Sequence, residues 1–218
     1  VFMNLSLIPF EIGWSLRLSK NDFMRHCEVI GHSNWINAQA KKKGAFILTA
    51  HIGNWELLPL IFSSYNLHAS FVYRPLDFKP ADLFFYEYRS RSGCIPIAKK
   101  SSMRKVIKSI KNGGCVGILL DQNARRKAGI FINFFGQPAC TNKGLALMAL
   151  KTGAPVIPVF LVRHEMSFKV IFGHEIPLVR SGNKAEDIEA NTLKYNQAIE
   201  AIIREYPDQW FWVHQRWK

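Results

Sequence analysis

Short apolar runs alternate with longer amphipathic stretches along this chain. The apolar runs predict strands, and they fall at residues 45–50, 69–73, 115–120, 155–162 and 168–172. The amphipathic stretches predict helices, and they fall at residues 55–65, 80–91, 101–112, 141–152 and 185–205. Because strands alternate with helices, we expect an α/β fold with a largely parallel central sheet flanked by helices.

The chain of 218 residues fits one domain, with a core at 45–218 preceded by a segment at 1–44 that predicts one or two helices. It contains no apolar run of about 18 residues, so we expect no simple membrane-spanning helix in it. Pro155 and Pro158 interrupt the strand at 155–162. They predict a strand that lies near a sheet edge or begins irregularly.

A histidine and a glutamate stand five residues apart at a predicted junction between strand and helix. His51 ends the run 45–50, and Glu56 falls in the first turn of a helix that Asn54 can cap. A spacing of five on one helix would point the two side chains apart, but a bend at Gly53 removes this objection. The pattern predicts a dyad in which Glu56 accepts a hydrogen bond from one imidazole nitrogen and the other takes a proton. A satisfied polar histidine and a capping glutamate are the alternative.

Charged side chains also follow other predicted strands. Arg74 and Asp121 come directly after strands, as His51 does, and Gln122 is next to Asp121. The carboxyl ends of parallel strands share one edge of a sheet, where α/β proteins gather their chemistry. We therefore expect these residues near His51, although Asp121 as a turn residue and Arg74 as a surface residue remain open.

The chain is strongly basic, with 29 Lys and Arg against 16 Asp and Glu, a formal charge of +13. Such a balance favours an anionic partner, either nucleic acid, an anionic membrane, or an acidic protein or lipid. The densest positive stretch runs from Arg89 through Arg91 to Lys111 without an acidic residue. Its second half predicts an amphipathic helix, 101–112, with a basic outer side.

Several kinds of site are absent from the sequence. It contains no G-x-S-x-G elbow, no phosphate-binding G-x-x-x-x-G-K-[ST] loop and no G-x-G-x-x-G fingerprint. The histidines are scattered and form no H-E-x-x-H, so we expect no metal. Four cysteines without paired spacing read as reduced thiols.

Six blocks in order resemble the lipid A biosynthesis acyltransferases, the late (lauroyl or myristoyl) branch of the lysophospholipid acyltransferase superfamily. They are AHIGNWE (50–56), YRPLD (73–77), DQ (121–122), GIFINFFGQPACT (129–141), GAPVIPVF (153–160) and WVHQRWK (212–218). The resemblance covers residues 44–218 and fades before them. The family usually has a longer N-terminal region with a membrane anchor, and we expect that anchor to lie outside this chain, which starts at Val1.

The resemblance implies a glycerol-3-phosphate acyltransferase-like fold and a specific reaction. A fatty acyl chain would pass from an acyl carrier protein thioester to a hydroxyl of a lipid A precursor, at the cytoplasmic face of the bacterial inner membrane. No cofactor is implied beyond the phosphopantetheine of the carrier protein. The partners would be that carrier protein, the lipid A precursor and the anionic membrane surface, with no nucleic acid.

The resemblance also implies roles for single residues. His51 would act as general base with Glu56 fixing its tautomer, and transfer would be direct. Backbone N–H groups after His51, or a nearby Arg, would stabilise the oxyanion. Substrate binding is assigned to Arg74, Arg89, Arg91, Asp121 and Gln122. The aromatic residues of the fourth block line an acyl pocket or pack in the core; they are Phe131, Phe134 and Phe135.

Two alternatives stay open at the level of the sequence. One keeps the chemistry and changes the acceptor to a phosphatidylinositol mannoside, another glycolipid or a lysophospholipid. The other is a nucleic-acid-binding protein, in which the basic side chains would neutralise phosphates and aromatic rings would stack on bases. The second alternative leaves the six ordered blocks without an explanation.

Overall fold

The described part of this computed structural model comprises residues 1–65, 67, 69–73, 75–98 and 102–218. Arg74, which the sequence places near the site, and Ser101, the first residue of the predicted helix 101–112, lie outside it. Within the described residues, seven strands form one sheet and two others form a separate hairpin. The strands are β1 (Cys27–Ile30), β2 (Ala45–Thr49), β3 (Ala69–Tyr73), β4 (Ile95–Ala98), β5 (Cys115–Leu119), β6 (Gly129–Phe134), β7 (Gln137–Asn142), β8 (Val156–His164) and β9 (Ser167–Phe172), of which β6 and β7 make the hairpin.

Helices cover both faces of the sheet. They are α1 (Phe2–Ser15), α2 (Lys20–Met24), α3 (His32–Ala40), α4 (Leu58–Ser64), α5 (Lys79–Arg91), α6 (Ser102–Lys111), α7 (Gly144–Thr152) and α8 (Lys184–Glu205), with 3-10 turns at Trp55–Leu57 and Pro207–Gln209. The predicted α/β fold is confirmed. Among the described residues, none of the helices combines the length and the hydropathy that crossing a bilayer requires.

The sheet is mixed but largely parallel. Its strand order is β1-β9-β8-β2-β5-β3-β4. The five strands from β8 to β4 run parallel, whereas β9 is antiparallel to β8 and β1 is parallel to β9. The predicted largely parallel sheet is therefore confirmed, with a reversed edge that begins at the β8–β9 hairpin.

Three expectations about single elements are wrong or incomplete. The segment 1–44 is not purely helical, because it includes β1, and β4 was not predicted at all. The proline-bearing strand lies between β9 and β2 rather than at an edge, whereas the other branch of the expectation, an irregular beginning, agrees with its pairing. The reason is its register: β8 pairs with β2 up to Pro158 and with β9 from Val159 onward. Pro158 thus lies where one ladder of hydrogen bonds gives way to the other, and its missing N–H is tolerated.

Strand β2 is the centre of the core. All of its residues are buried, with Phe46 and Leu48 on one face of the sheet and Ala45 and Ile47 on the other. The first face packs against residues of α6, α7 and α8, and the second against residues of α1, α3 and α4. Burial on both faces fixes the height and direction of this strand, and hence the place of His51 beyond its end.

Candidate active site

His51 and Asp121 meet at the carboxyl end of the sheet. Strands β2 and β5 are parallel neighbours, and the N–H of Leu120 donates to the carbonyl of Thr49 at 3.1 Å. Each strand therefore delivers its next residues to the same edge. Nδ1 of His51 lies 2.8 Å from Oδ1 of Asp121, and the backbone N–H of His51 donates to Oδ2 at 2.9 Å. The predicted meeting of these two residues at strand ends is confirmed.

The bend after His51 depends on a glycine. Gly53 has φ 58°, and a Cβ atom there would lie 2.0 Å from the carbonyl oxygen of Leu161. Any other residue would clash with β8, so the loop approaches that strand more closely than a side chain permits. The predicted bend is confirmed, and it starts the 3-10 turn that carries Glu56.

The predicted hydrogen bond between His51 and Glu56 is wrong. Glu56 instead accepts from Nε of Arg89 at 2.7 Å, from Nη2 of Arg89 at 2.6 Å and from the indole of Trp55 at 3.1 Å. The physical reason is competition: Asp121 takes the Nδ1 position from the neighbouring strand, and a bidentate guanidinium is the stronger partner for the Glu56 carboxylate. The sequence could not show this, because Arg89 comes from α5.

The charges of two carboxylates, Asp121 and Glu56, act on the pKa of His51. Burial lowers the pKa of His51, and so does the charge of Arg89. The charge of Asp121, the hydrogen bond to Asp121 and the charge of Glu56 raise it. The raising effects are the larger, so the pKa of His51 lies above its usual value. Burial raises the pKa of Asp121, but His51 and the hydrogen bonds to the carboxylate hold it below its usual value. Asp121 is therefore ionised when His51 is poised to take a proton.

The ionised carboxylate assigns the tautomer of His51. Because a carboxylate only accepts, Nδ1 carries the hydrogen and Nε2 keeps its lone pair. The side-chain amide of Gln122 lies 3.4 Å from Nε2. The rings of Trp55 and Phe211 flank the imidazole, with centroids 5.0 Å and 6.2 Å away. The site thus presents one basic nitrogen between two aromatic rings.

The backbone N–H groups of residues 51–53 are already engaged. The N–H of His51 donates to Asp121, that of Ile52 to the carbonyl of Ala50 at 2.9 Å, and that of Gly53 to the carbonyl of Gln209 at 3.1 Å. These groups do not fit the expected role of oxyanion donors. The other expected donor, a nearby Arg, is represented by Arg89, whose guanidinium lies over the rings of Phe71 and Phe85 at 5.2 Å and 5.3 Å.

The segment 209–217, called the C-terminal strap below, was not predicted to touch the base. The indole N–H of Trp210 donates to Oδ2 of Asp121 at 2.8 Å, and the N–H of Phe211 donates to the carbonyl of His51 at 2.9 Å. Ile52 and Trp210 form an antiparallel bridge. The signal in the sequence was a run of aromatic residues at 210–212, just before and into the last of the six blocks, and it carried no information about a contact with Asp121.

The remaining predicted residues are spread over the surface and the core. Arg91 is exposed in the last turn of α5. Phe131 is exposed, Phe134 is fully buried beneath the guanidinium of Arg216, and Phe135 lies 4.8 Å from the guanidinium of Arg204. Phe134 thus packs in the core, which was the alternative to an acyl pocket.

An open cavity of about 420 Å³ adjoins the site. It is lined by Asn123, Phe211, Val213, His214, Gln215 and Lys218. Nε2 of His214 accepts from the N–H of Asn123 at 2.8 Å, and burial, followed by the charges of His51 and Arg216, lowers its pKa despite the charge of Asp121. His214 is therefore a neutral acceptor here. No group of three or more His, Cys, Asp or Glu that would suit a metal occurs in the part of the chain that the structure describes.

Comparison with known proteins gives the family context of this site. The family described as bacterial lipid A biosynthesis acyltransferase matches residues 2–218. The match begins far before residue 44, so the N-terminal helices and β1 belong to the shared region. The expectation that the similarity fades there is wrong.

Three relatives show the range of the similarity. A lipid A biosynthesis acyltransferase of Haemophilus influenzae is 23% identical over 215 residues, covering 99% of this chain and 66% of that protein. A lipid A biosynthesis lauroyltransferase of Escherichia coli is 27% identical over 220 residues, covering 100% of this chain and 70% of that protein. A phosphatidylinositol mannoside acyltransferase of Mycobacterium tuberculosis is 24% identical over 198 residues, covering 87% of this chain and 60% of that protein. On the match over residues 2–218, the chain belongs to the family of bacterial lipid A biosynthesis acyltransferases.

Proposed function

We propose that this protein transfers a fatty acyl chain from an acyl carrier protein thioester to a hydroxyl of a lipid A precursor, with His51 as the general base. The observation that carries the proposal is the hydrogen-bonded pair of His51 and buried Asp121 at the sheet edge, in a chain of this family. The pair supplies a basic nitrogen, Nε2, oriented by a carboxylate on the opposite nitrogen.

The proton moves along a short path. The acceptor hydroxyl gives its proton to Nε2 of His51 as its oxygen attacks the thioester carbonyl carbon. The imidazolium is stabilised by Asp121, which stays ionised. The tetrahedral intermediate then collapses, the C–S bond breaks, and Nε2 returns the proton to the leaving sulfur. The products are an ester and a free phosphopantetheine thiol, so no covalent acyl-enzyme is needed and transfer is direct.

Arg89 is the group proposed to stabilise the oxyanion. Its guanidinium is close enough to His51 to lower the pKa of the imidazole by charge. Its bonds to Glu56 use Nε and Nη2, which leaves Nη1 outside that ion pair. Glu56 then serves the reaction by holding Arg89 and by adding negative charge near the imidazolium. This differs from the predicted dyad and keeps Glu56 within the machinery.

The basic face of α6 supports the proposed acyl donor, a carrier protein, and the proposed location at a membrane. On α6 the basic side chains of Arg104, Lys105, Lys108 and Lys111 are exposed, whereas Val106 and Ile110 are buried. This face suits the acidic surface of a carrier protein or the anionic headgroups of a membrane. The site would then act at the cytoplasmic face of the bacterial inner membrane, where both substrates meet.

The deciding experiment identifies the product. The protein is incubated with acyl carrier protein thioesters of several chain lengths and, in parallel, with a lipid A precursor, a phosphatidylinositol mannoside and a lysophospholipid. Mass spectrometry of the lipids is expected to find one added acyl group on the lipid A precursor, and none with His51→Ala. Acylation of a different acceptor alone would replace the proposed substrate, and acylation of none would contradict the proposed function.

A further inference from the structure

Trp210 contacts the carboxylate that orients the base. Its side chain is 1% exposed, and its indole N–H donates to Oδ2 of Asp121 at 2.8 Å. The same oxygen accepts the backbone N–H of His51 at 2.9 Å, whereas Oδ1 faces Nδ1 of His51 at 2.8 Å. Oδ2 therefore accepts from the indole and the backbone, and Oδ1 faces the imidazole. Rotation of the carboxylate would break the bonds at both.

The indole is itself held in place. The ring of Trp210 lies 5.8 Å from Phe134 and 4.6 Å from Trp212 in edge-to-face contacts, measured between ring centroids. Its backbone forms a bridge with Ile52, and its neighbours Gln209 and Phe211 bond the backbone of Gly53 and His51. Residues 209–211 of the C-terminal strap thus contact both the loop that carries His51 and the Asp121 carboxylate that orients His51.

We propose that Trp210 is a positioning residue for the reaction, which holds the Asp121 carboxylate through its indole N–H so that His51 keeps its Nδ1–H tautomer and its direction. A general base that loses its orientation by about 1 Å can lose about a hundredfold in rate, so a single buried hydrogen bond at this point has kinetic weight. The proposal assigns Trp210, together with its neighbours Gln209 and Phe211, to the active site rather than to the core alone.

The test replaces only the N–H group. In Trp210→Phe the ring is smaller, so a second variant carries benzothienylalanine at residue 210, in which sulfur replaces the indole N–H and the shape is kept. The control is Trp217→Phe, with its benzothienylalanine counterpart. Trp217 belongs to the same aromatic cluster, and its indole N–H donates to the carbonyl of Phe134 at 3.1 Å instead of to a carboxylate.

The first readout needs no substrate. The imidazole of His51 is titrated by NMR with labelled histidine and assigned by its loss in His51→Ala. Without the indole donor the carboxylate can rotate away from the ring, and the charge and hydrogen bond of Asp121 that raise the pKa of His51 are weakened. The pKa of His51 is therefore expected to fall in the residue 210 variants and to stay unchanged in those of residue 217. A pKa that is unchanged or higher in the benzothienylalanine variant at 210 would show that the carboxylate keeps its place without the indole N–H, and it overturns the proposal.

The second readout rests on the proposed function. With acyl carrier protein thioester and the acceptor found for the wild type, the residue 210 variants are expected to lose about tenfold or more in kcat with little change in KM, because the buried indole is shielded from a bound substrate. A kcat equal to that of the residue 217 control overturns the proposal. If the wild type acylates no acceptor, the proposed function fails, and the NMR titration still decides whether Trp210 positions the pair.

Discussion

Nδ1 of His51 lies 2.8 Å from Oδ1 of Asp121, a contact that joins residues 70 positions apart in the chain. It exists because β2 and β5 are parallel neighbours that end at the same edge of the sheet. The carboxylate is buried and the imidazole is only partly exposed, so their attraction is weakly screened by solvent. This relationship sets the expected behaviour of the site.

Replacing Asp121 with Asn should nearly abolish acyl transfer while the protein still folds. The amide keeps the size of the side chain but removes the charge that stabilises the imidazolium and selects the tautomer. We expect kcat to fall by about three orders of magnitude or more. The steady-state rate with carrier protein thioester measures this, with Asp208→Asn, at an exposed aspartate, as the control. A variant with near wild-type kcat would contradict the assignment of Asp121.

The residual activity of Asp121→Asn should also change its pH dependence. Asp121 raises the pKa of His51, so in the wild type the base becomes neutral, and active, only above its usual pKa. Removal of the carboxylate charge lowers that pKa, and the acidic limb of the kcat profile is expected to move to lower pH. The profile is measured from about pH 5 to 9 in both proteins. An acidic limb at the same pH in both would mean that another group controls it.

Glu56 and Arg89 should behave as one unit. Glu56→Ala leaves a partly buried guanidinium without its carboxylate, and Arg89→Met leaves the carboxylate without its cation. Each is expected to lower activity by about a hundredfold or more, and to lower the free energy of unfolding by up to about 3 kcal/mol. Because both changes remove the same interaction, the double variant should be little worse than either.

Kinetic assays and urea unfolding of the two single variants and the double variant measure this coupling. Arg91→Met is the matched control, since Arg91 lies on the same helix and is exposed. Strictly additive losses in the double variant would show that Glu56 and Arg89 act separately. Full activity of Glu56→Ala would remove Glu56 from the machinery.

The elements that position the site were largely predictable, and the contacts within it were not. The apolar run of β2, the bend at Gly53 and the basic helix α6 follow from local rules of burial, backbone freedom and periodicity. The partner of His51 depends on which strand lies beside β2, and that order is set by long-range packing. Spacing in the sequence favoured Glu56 because it is near in the chain, whereas Asp121 is near in space. Trp210 was missed for the same reason.

The pair should also shape stability against pH. The pKa of His51 is raised, so its contribution is complete below the usual pKa of histidine, about 6.5, and is lost as pH rises through the folded value. The pKa of Asp121 is lowered, so its contribution is complete above the usual pKa of aspartate, about 3.9, and is lost as pH falls through the folded value. The pair therefore makes its full contribution to the free energy of unfolding between about pH 4 and pH 6.5.

Urea unfolding at several pH values tests this window. The difference in free energy of unfolding between the wild type and Asp121→Asn is expected to be largest near pH 5 and to shrink toward pH 9, where the imidazole is neutral in both. Asp208→Asn serves as the control for a change of net charge. A difference that is constant with pH would show that the carboxylate stabilises the fold by hydrogen bonds alone.

Reversal of charge on α6 should weaken docking without harming the site. In Lys105→Glu/Lys108→Glu both changes fall on exposed positions of a helix whose buried side, Val106 and Ile110, is untouched. The fold should persist, while attraction to an acidic surface falls and becomes less sensitive to salt. Lys20→Glu/Lys184→Glu makes the same change of charge at exposed positions elsewhere and is the control.

Two assays distinguish whether α6 docks on the membrane or on the carrier protein. Sedimentation with anionic liposomes measures the membrane, and KM for the carrier protein thioester measures the protein partner. If α6 faces the carrier protein, KM rises in the α6 variant with kcat retained and liposome binding equals that of the control. If it faces the membrane, liposome binding falls and KM in detergent stays unchanged. Equal values for the two variants in both assays would contradict a docking role for α6.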